Sequence, residues 1–280
     1  MTNYSILEIA KKTSKTLIPP ALAGLDNQYG KILEGEKPTI GEIISKSENN
    51  KKTRIKIIAQ NEDQEDIIKL ILSFIPEKFL KNNFGFKKVE VLNDDNFLAK
   101  HNDSQKTIYL SQKIFSKEYN EKRPYHRIKN FPSVVELMIH EIGHSVEQNL
   151  HKKNKKLIDP IWHNVTGWVY PEDSKQIIKL KKKGYVSALY NFRNISIEDL
   201  ETLEDKDVEE IEERIKRRFP MQKPEKVMKI SWYGQVSPRE DFSESFVRYM
   251  LDNNTFRQQE PERFNYFTKY VFNNEGEKND

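Results

Sequence analysis

Residues 133–146 read SVVELMIHEIGHSV and are the part of the chain that most strongly predicts a helix. Pro132 and Ser133, followed by Glu136, give a Ser-x-x-Glu capping box, which is typical of a helix N-terminus. Most of the remaining positions are apolar, namely Val134, Val135, Leu137, Met138, Ile139, Ile142 and Val146. A helix that is apolar on most of its sides is expected to be buried.

Two histidines, His140 and His144, lie four residues apart within this helix. Because an α-helix turns once every 3.6 residues, this spacing places both imidazoles on one face, where they can bind the same metal ion. Glu141 lies about 100° around the helix from His140, from where it can act as a general base on a water that the metal activates. The pattern His-Glu-x-x-His therefore predicts a metal-dependent hydrolase.

A purely structural interpretation is that both histidines belong to the core and bond to backbone carbonyls. It is disfavoured because burying three ionisable groups in an apolar helix, without a metal or partners, is costly. Catalytic zinc takes three protein ligands and leaves one position for water, so a third ligand is expected elsewhere. The chain contains no cysteine, which restricts that ligand to a histidine or a carboxylate.

The best candidates lie in a second predicted helix that begins at Pro238. Its aromatic side chains predict a buried stripe, and they are Phe242, Phe246 and Tyr249. Glu240 and Glu244 are one turn apart on a shared face, so one can bind the metal while the other accepts the free ring N–H of a ligand histidine. The spacing alone does not separate these two roles, and Ser237-x-x-Glu240 also matches a capping box.

The remaining histidines are weaker candidates. His151 falls at the end of the first helix, and His163 stands in a Trp-His-Asn segment that we interpret as a loop. Both are interpreted as ordinary surface or packing histidines. His101 and His126 precede the helix in polar surroundings and are not included in the predicted site.

Three features combine across the two helices. They are LMIHEIGHSV at 137–146, a Tyr-Gly pair at 233–234, and a Glu-x-Phe-x-Glu-x-Phe pattern at 240–246 whose first Glu follows the Tyr by seven residues. Together they resemble the catalytic domain of the anthrax-lethal-factor family of zinc endopeptidases, to which the Pro-Pro endopeptidases are related. The chain departs from that family in the long separation of the two segments, since Glu240 follows His144 by 96 positions.

The resemblance implies a zinc metalloendopeptidase of the gluzincin type, which hydrolyses peptide bonds in a protein or peptide substrate. The zinc (Zn²⁺) ligands that it implies are His140, His144 and Glu240. Glu141 would be the general base, and Tyr233 would donate a hydrogen bond to the oxyanion that develops in the transition state. Glu244 would hydrogen-bond a ligand histidine, or would be the alternative third ligand.

We expect an α+β, zincin-like metallopeptidase domain over residues 51–280, with a small mixed sheet, the His-Glu-x-x-His helix and a mostly helical C-terminal subdomain. Alternating apolar residues predict strands at 54–58, 88–92 and 106–110, and helical spacing predicts a helix over 67–75. If the strand at 106–110 edges the sheet, it can pair with an extended substrate through main-chain hydrogen bonds.

Two further segments are distinguished by composition. Residues 1–50 are expected to form a separate helical and loop segment with no assigned role. Residues 172–229 contain a Lys-rich run at 175–183 and an acidic run at 198–213. Charge of this density predicts a helical insertion whose charged faces lie in water.

Composition excludes several classes of function. Of the 280 residues, 36% are hydrophobic and 32% are charged, as in globular proteins. The formal net charge of +4 is too small to predict nucleic-acid binding, and no apolar run approaches the roughly 18 residues that cross a bilayer. No secretory signal is visible, which predicts a cytoplasmic protein, or a secreted one if a leader was removed or a non-Sec route is used.

The main alternative to an enzyme is a catalytically inactive scaffold or regulator with the zincin fold, which binds a protein partner through the charged insertion. The two hypotheses differ in their metal content. The scaffold predicts no stoichiometric zinc and no effect of Glu141→Ala.

Overall fold

The computed structural model describes residues 55–80, 85–122, 131–153, 155–187, 196–202, 220–224 and 230–272. The predictions for residues 1–50 and for His126 lie outside these ranges. Within them the protein is a mixed α+β structure with a small mixed sheet, as predicted. The chain divides into two compact units, of which the first comprises the described residues up to Asn149 and Val247–Thr255.

The described residues up to Lys153 contain four strands and four α-helices. In chain order they are β1 (Lys56–Ile58), α1 (Glu62–Phe74), α2 (Glu77–Leu80), β2 (Lys88–Leu92), β3 (Ala99–Asn102), β4 (Thr107–Ser111), α3 (Lys117–Lys122) and α4 (Ser133–Lys153). The strands form one sheet in the order β1-β2-β4-β3. β1, β2 and β4 run parallel, and β3 is antiparallel to β4.

Three of these strands, β1, β2 and β4, lie where the sequence predicts strands, and the alternation of buried and half-buried residues is regular in β2. In β2, Val89 and Val91 are fully buried while Lys88 and Glu90 are half-buried. β4 lies between β2 and β3, so the strand predicted at 106–110 is interior and not an edge strand. Among the described strands β1 and β3 are at the edges, and the sequence does not predict β3 because Ala-Lys-His-Asn shows no apolar alternation.

The core of the first unit consists of aliphatic residues on the sheet and on α1 and α4. Those that are at most 3% exposed include Ile67, Ile68, Leu70, Ile71, Val89, Val91, Ile108, Leu110, Val134, Val135, Met138, Ile139 and Ile142. Helix α1 is capped by Asn61, whose side chain accepts from the Gln64 backbone N–H. The backbone N–H of Ser133, the first residue of α4, donates to the Asn120 side chain at 2.8 Å.

The later part of the chain contains short strands among helices. In chain order its elements are α5 (Lys155–Thr166), β5 (Trp168–Val169), α6 (Ser174–Lys182), β6 (Val186–Ser187), α7 (Ile197–Glu201), β7 (Met221–Gln222), α8 (Pro238–Leu251), α9 (Asn253–Gln259) and α10 (Pro261–Tyr266). The strands form an antiparallel sheet in the order β5-β7-β6. The second unit comprises Leu150–Phe246 and the described residues from Phe256 onward.

The charged segment at 172–229 is helical in two of its described parts, α6 and α7, which are joined by an ion pair between Lys182 and Glu201. Its two strands, β6 and β7, are not predicted by the sequence pattern. Met221 and Gln222 on β7 are 0% and 2% exposed, so this part of the segment is buried rather than solvated.

Aromatic residues form the core of the second unit, because the rings of Trp162, Phe242, Tyr266 and Phe267 lie within 4.9–5.9 Å of one another in several pairs. Phe242 and Phe246 are fully buried, as predicted, while Tyr249 is half-buried. In the described residues, no helix has both the length and the apolar character needed to cross a membrane.

Candidate metal centre

Helix α4 presents its two histidines on one face, as their spacing predicts. His140 and His144 are 2% and 6% exposed. Their ring centroids are 4.7 Å apart and their planes are nearly perpendicular, at 87°. The two imidazoles are therefore close neighbours in a site that is largely closed to solvent.

Helix α8 begins at Pro238, directly after its capping residue. The Ser237 hydroxyl accepts a hydrogen bond from the Glu240 backbone N–H at 3.1 Å, so the first half of the predicted capping box is present. Glu240 thus lies in the first turn of the helix, where its backbone is fixed by the cap.

The carboxylate of Glu240 lies near both imidazoles. One ligand atom from each of His140, His144 and Glu240 falls within 4.8 Å of the other two. This is the only group of three or more possible ligand residues within the described ranges, and it does not include Glu244. The histidines are buried and Glu240 is half-buried. These three residues, which we call the metal triad, could bind a metal ion.

The donor set of the metal triad matches the preference of borderline-soft divalent ions. Two imidazole nitrogens and one carboxylate oxygen form one of the ligand combinations of catalytic zinc, at metal–ligand distances of about 2.0–2.2 Å. Two ligand atoms on one tetrahedral zinc ion are about 3.4 Å apart, so ligand atoms within 4.8 Å of one another would have to come closer together to bind one ion. Three ligands leave a tetrahedral ion one open position.

Glu141 and Tyr233 occupy different surroundings. Glu141, on α4 beside His140, is 6% exposed. Tyr233 lies on a 3₁₀ turn, Tyr233–Gln235, just before α8, and is 38% exposed. Their predicted roles as general base and oxyanion donor remain predictions, as does the bond between Glu244 and a ligand histidine. Glu244 itself is buried, at 2% exposed.

The weaker histidine candidates are not part of the metal triad. His151 lies near the end of α4, as expected. The interpretation of His163 as a loop residue is wrong, because it lies within α5, where its ring is 5.1 Å from that of Tyr170. That helix continues through Pro160, which the sequence pattern does not anticipate.

His101 is not included in the predicted site, yet it lies beside the metal triad. Its ring stacks on that of His144, with the centroids 6.4 Å apart and the planes inclined by 23°. Its Nε2 donates to the Gly85 carbonyl at 2.8 Å, and its Nδ1 lies 2.8 Å from the Asp103 carboxylate. Its position beside the metal triad depends on the pairing of β3 with β4, and the sequence pattern does not predict β3.

A buried polar network surrounds Asp241, the residue after Glu240. Asp241 is 0% exposed and accepts hydrogen bonds from Trp168 Nε1 at 2.8 Å and Gln222 Nε2 at 3.1 Å. Arg263, which is 1% exposed, donates to it through Nε at 3.2 Å and through a terminal nitrogen at 2.9 Å. The second terminal nitrogen of Arg263 donates to Glu260 at 2.5 Å.

The carboxylates of Asp241 and Glu260 stabilise the positive charge of Arg263. Burial disfavours the charged guanidinium of Arg263, but the charges and hydrogen bonds of Asp241 and Glu260 outweigh it and raise the pKa of Arg263 above its ordinary value. Arg263 therefore remains a cation. We call Trp168, Gln222, Asp241, Glu260 and Arg263 the Asp241 network.

Comparison with known proteins finds no family model, no curated protein and no solved structure that matches the chain.

Proposed function

We propose that the protein is a zinc-dependent endopeptidase with a zincin-like fold. The observation that supports this most strongly is the convergence of the metal triad, whose ligand atoms lie within 4.8 Å of one another although Glu240 follows His144 by 96 positions. Each of the two sequence patterns is common by itself, but here the possible ligand residues of both lie close together. The resemblance to the lethal-factor family, drawn from the same residues, supports the same function.

Zinc is the proposed metal because two histidines and a glutamate match its catalytic sites, whereas the hard ions Mg²⁺ and Ca²⁺ prefer oxygen ligands alone. When bound, zinc would act as a Lewis acid that polarises the scissile carbonyl and makes a water nucleophilic at neutral pH. The chain contributes the closed surroundings of the two histidines and the third ligand on α8.

In this proposal Glu141 accepts the proton of the attacking water and then delivers it to the leaving amine. Its position supports the role, since it is next to His140 on the same helix but is not part of the metal triad. Tyr233, whose side chain is partly exposed, donates a hydrogen bond to the oxyanion.

The proposal that the substrate is a peptide is supported by the edge of the first unit's sheet. β3 is the last strand on that side and pairs with β4 through its other edge. An extended peptide can add to such an edge through main-chain hydrogen bonds. Because His101 on β3 stacks on His144, a peptide bound there would lie near the metal triad.

The decisive experiment compares Glu141→Gln with Glu147→Gln, the same change further along α4. We expect both variants to retain about one zinc per chain by elemental analysis, while only Glu141→Gln loses cleavage of a peptide library, by about 10²–10⁴-fold. Cleavage is read by mass spectrometry.

Two outcomes would contradict the proposal. If the unmodified chain binds no stoichiometric zinc, the metal triad is not a metal site. If it binds zinc but cleaves no peptide, it is not an endopeptidase. Cleavage by Glu141→Gln at the rate of the unmodified chain would remove Glu141 as the general base.

A further inference from the structure

The third ligand of the metal triad lies in the part of a helix that depends most on contacts from outside the helix. Glu240 is in the first turn of α8, and the first turn of a helix has backbone N–H groups with no partner inside the helix and tends to fray. A metal ligand there must be held by contacts outside the helix if the site is to be formed before the ion arrives.

Contacts of this kind converge on the first turn of α8 within the second unit. Trp162 Nε1 donates to the Pro238 carbonyl at 3.1 Å, and the Ser237 hydroxyl caps the Glu240 N–H. The largest set of contacts belongs to Asp241, whose carboxylate receives bonds from three different side chains of the Asp241 network. Elements from both ends of the second unit therefore hold a single helical turn.

Stability alone does not explain why this set includes buried charges. A buried ion pair contributes little net stability, because desolvation offsets the attraction between the charges, and apolar residues of similar volume often do as well or better. The charged pair contributes instead to the orientation of the Asp241 carboxylate. Two bonds from Arg263 and one each from Trp168 and Gln222 fix the orientation of the Asp241 carboxylate, and thereby the rotation of α8 about its axis.

We infer that Asp241 and Arg263 are positioning residues of the metal centre, which hold the first turn of α8 so that Glu240 is presented to His140 and His144. The inference depends on the proposed function only in requiring that the metal triad binds zinc. Asp241 and Arg263 do not contact the ion themselves. They act through Glu240, which is the chain neighbour of Asp241.

Asp241→Asn tests this inference with little loss of volume. The Asp241 network contains two carboxylates and one guanidinium, so the variant leaves Arg263 paired with Glu260. We expect the zinc dissociation constant, measured by competition with a chromophoric chelator, to rise by about 10–100-fold, as is usual when a residue that orients a ligand is changed. Asp252→Asn, at the far end of α8 where Asp252 pairs with Arg248, should leave it unchanged.

The same substitution in a Glu240→Ala chain shows whether Asp241 acts on zinc binding through Glu240 or only by stabilising the fold. In a Glu240→Ala chain there is no third ligand to position, so adding Asp241→Asn should change zinc affinity by less than about threefold. Cobalt substitution provides a spectroscopic check, because the visible absorption of Co²⁺ reports the geometry of its ligands. Should Asp241→Asn fold poorly, Trp168→Phe removes a single donor to Asp241 and should weaken zinc binding in the same direction.

Three results overturn the inference. One is unchanged zinc affinity in folded Asp241→Asn, and another is an equal loss of affinity with and without Glu240. The third is failure of the unmodified chain to bind zinc, which removes the proposed function as well. If the chain binds zinc, and Asp241→Asn weakens it as expected, but no peptide is cleaved, only the proposed function fails.

Discussion

Gly85→Ala is expected to be one of the most destabilising small substitutions in the first unit. A methyl group added at Gly85 would lie 2.3 Å from the Ser145 hydroxyl oxygen and 2.8 Å from both the Cα and the Cβ of Ser145. Carbon atoms in good contact are about 3.5–4.0 Å apart, so the methyl approaches the backbone of α4 too closely by about 0.7 Å. Because Ser145 is 0% exposed in a packed helix, it has little room to move away.

The cost follows from this geometry. Overpacking a well-packed core typically costs about 1–3 kcal/mol, and the upper end applies here because the obstacle includes backbone atoms. For a protein of this size, about 3 kcal/mol corresponds to a fall in melting temperature of roughly 6–12 °C. Zinc affinity should fall too, since Ser145 follows His144 and the Gly85 carbonyl accepts the hydrogen bond of His101.

Urea denaturation of the metal-free chain measures this cost directly. Gly85→Ala should shift the midpoint strongly, and Gly85→Ala combined with Ser145→Ala should recover only part of the loss. The second change removes the hydroxyl but leaves the Cα at 2.8 Å from the added methyl. A Gly85→Ala chain that unfolds at the same urea concentration as the unmodified chain would refute the close approach of these two segments.

Two further predictions concern the metal and the oxyanion. When zinc is present at 100 times its dissociation constant, removing it with a chelator should lower the free energy of unfolding by about 2.7 kcal/mol. This loss should be smaller in Glu240→Ala. Equal melting curves with and without zinc would contradict the prediction. Tyr233→Phe should lower kcat by about 10²–10³-fold at unchanged zinc content, whereas Tyr170→Phe, at a similarly exposed tyrosine, should have no effect on peptide cleavage. Equal rates in the two variants would remove Tyr233 from the mechanism.

The parts of the protein that can be predicted from the sequence are those whose chemistry repeats at a fixed local spacing. The apolar positions of α4 predict that helix, and its two histidines share a face because four residues nearly complete one turn. β2 and β4 are predicted because apolar residues alternate along them. In each case the information lies within a few consecutive residues.

The parts that cannot be predicted depend on residues that meet only after folding. Spacing alone does not distinguish Glu240 from Glu244, and the approach of one carboxylate to His140 and His144 is a property of the tertiary structure. The same holds for His101, whose importance comes from stacking on a ring 43 positions away in the chain. No local pattern encodes the partner of a polar side chain on an edge strand.

The segment between the two ligand helices also has a role that its composition conceals. Its charge density suggests a solvated insertion, yet Gln222 within it is 2% exposed and donates to Asp241. Trp162 and Trp168, which come just before the segment, bond to the same turn of α8. The long interval between His144 and Glu240 is therefore not a passive spacer, because three of its side chains, Trp162, Trp168 and Gln222, bond to the first turn of α8, which carries Glu240.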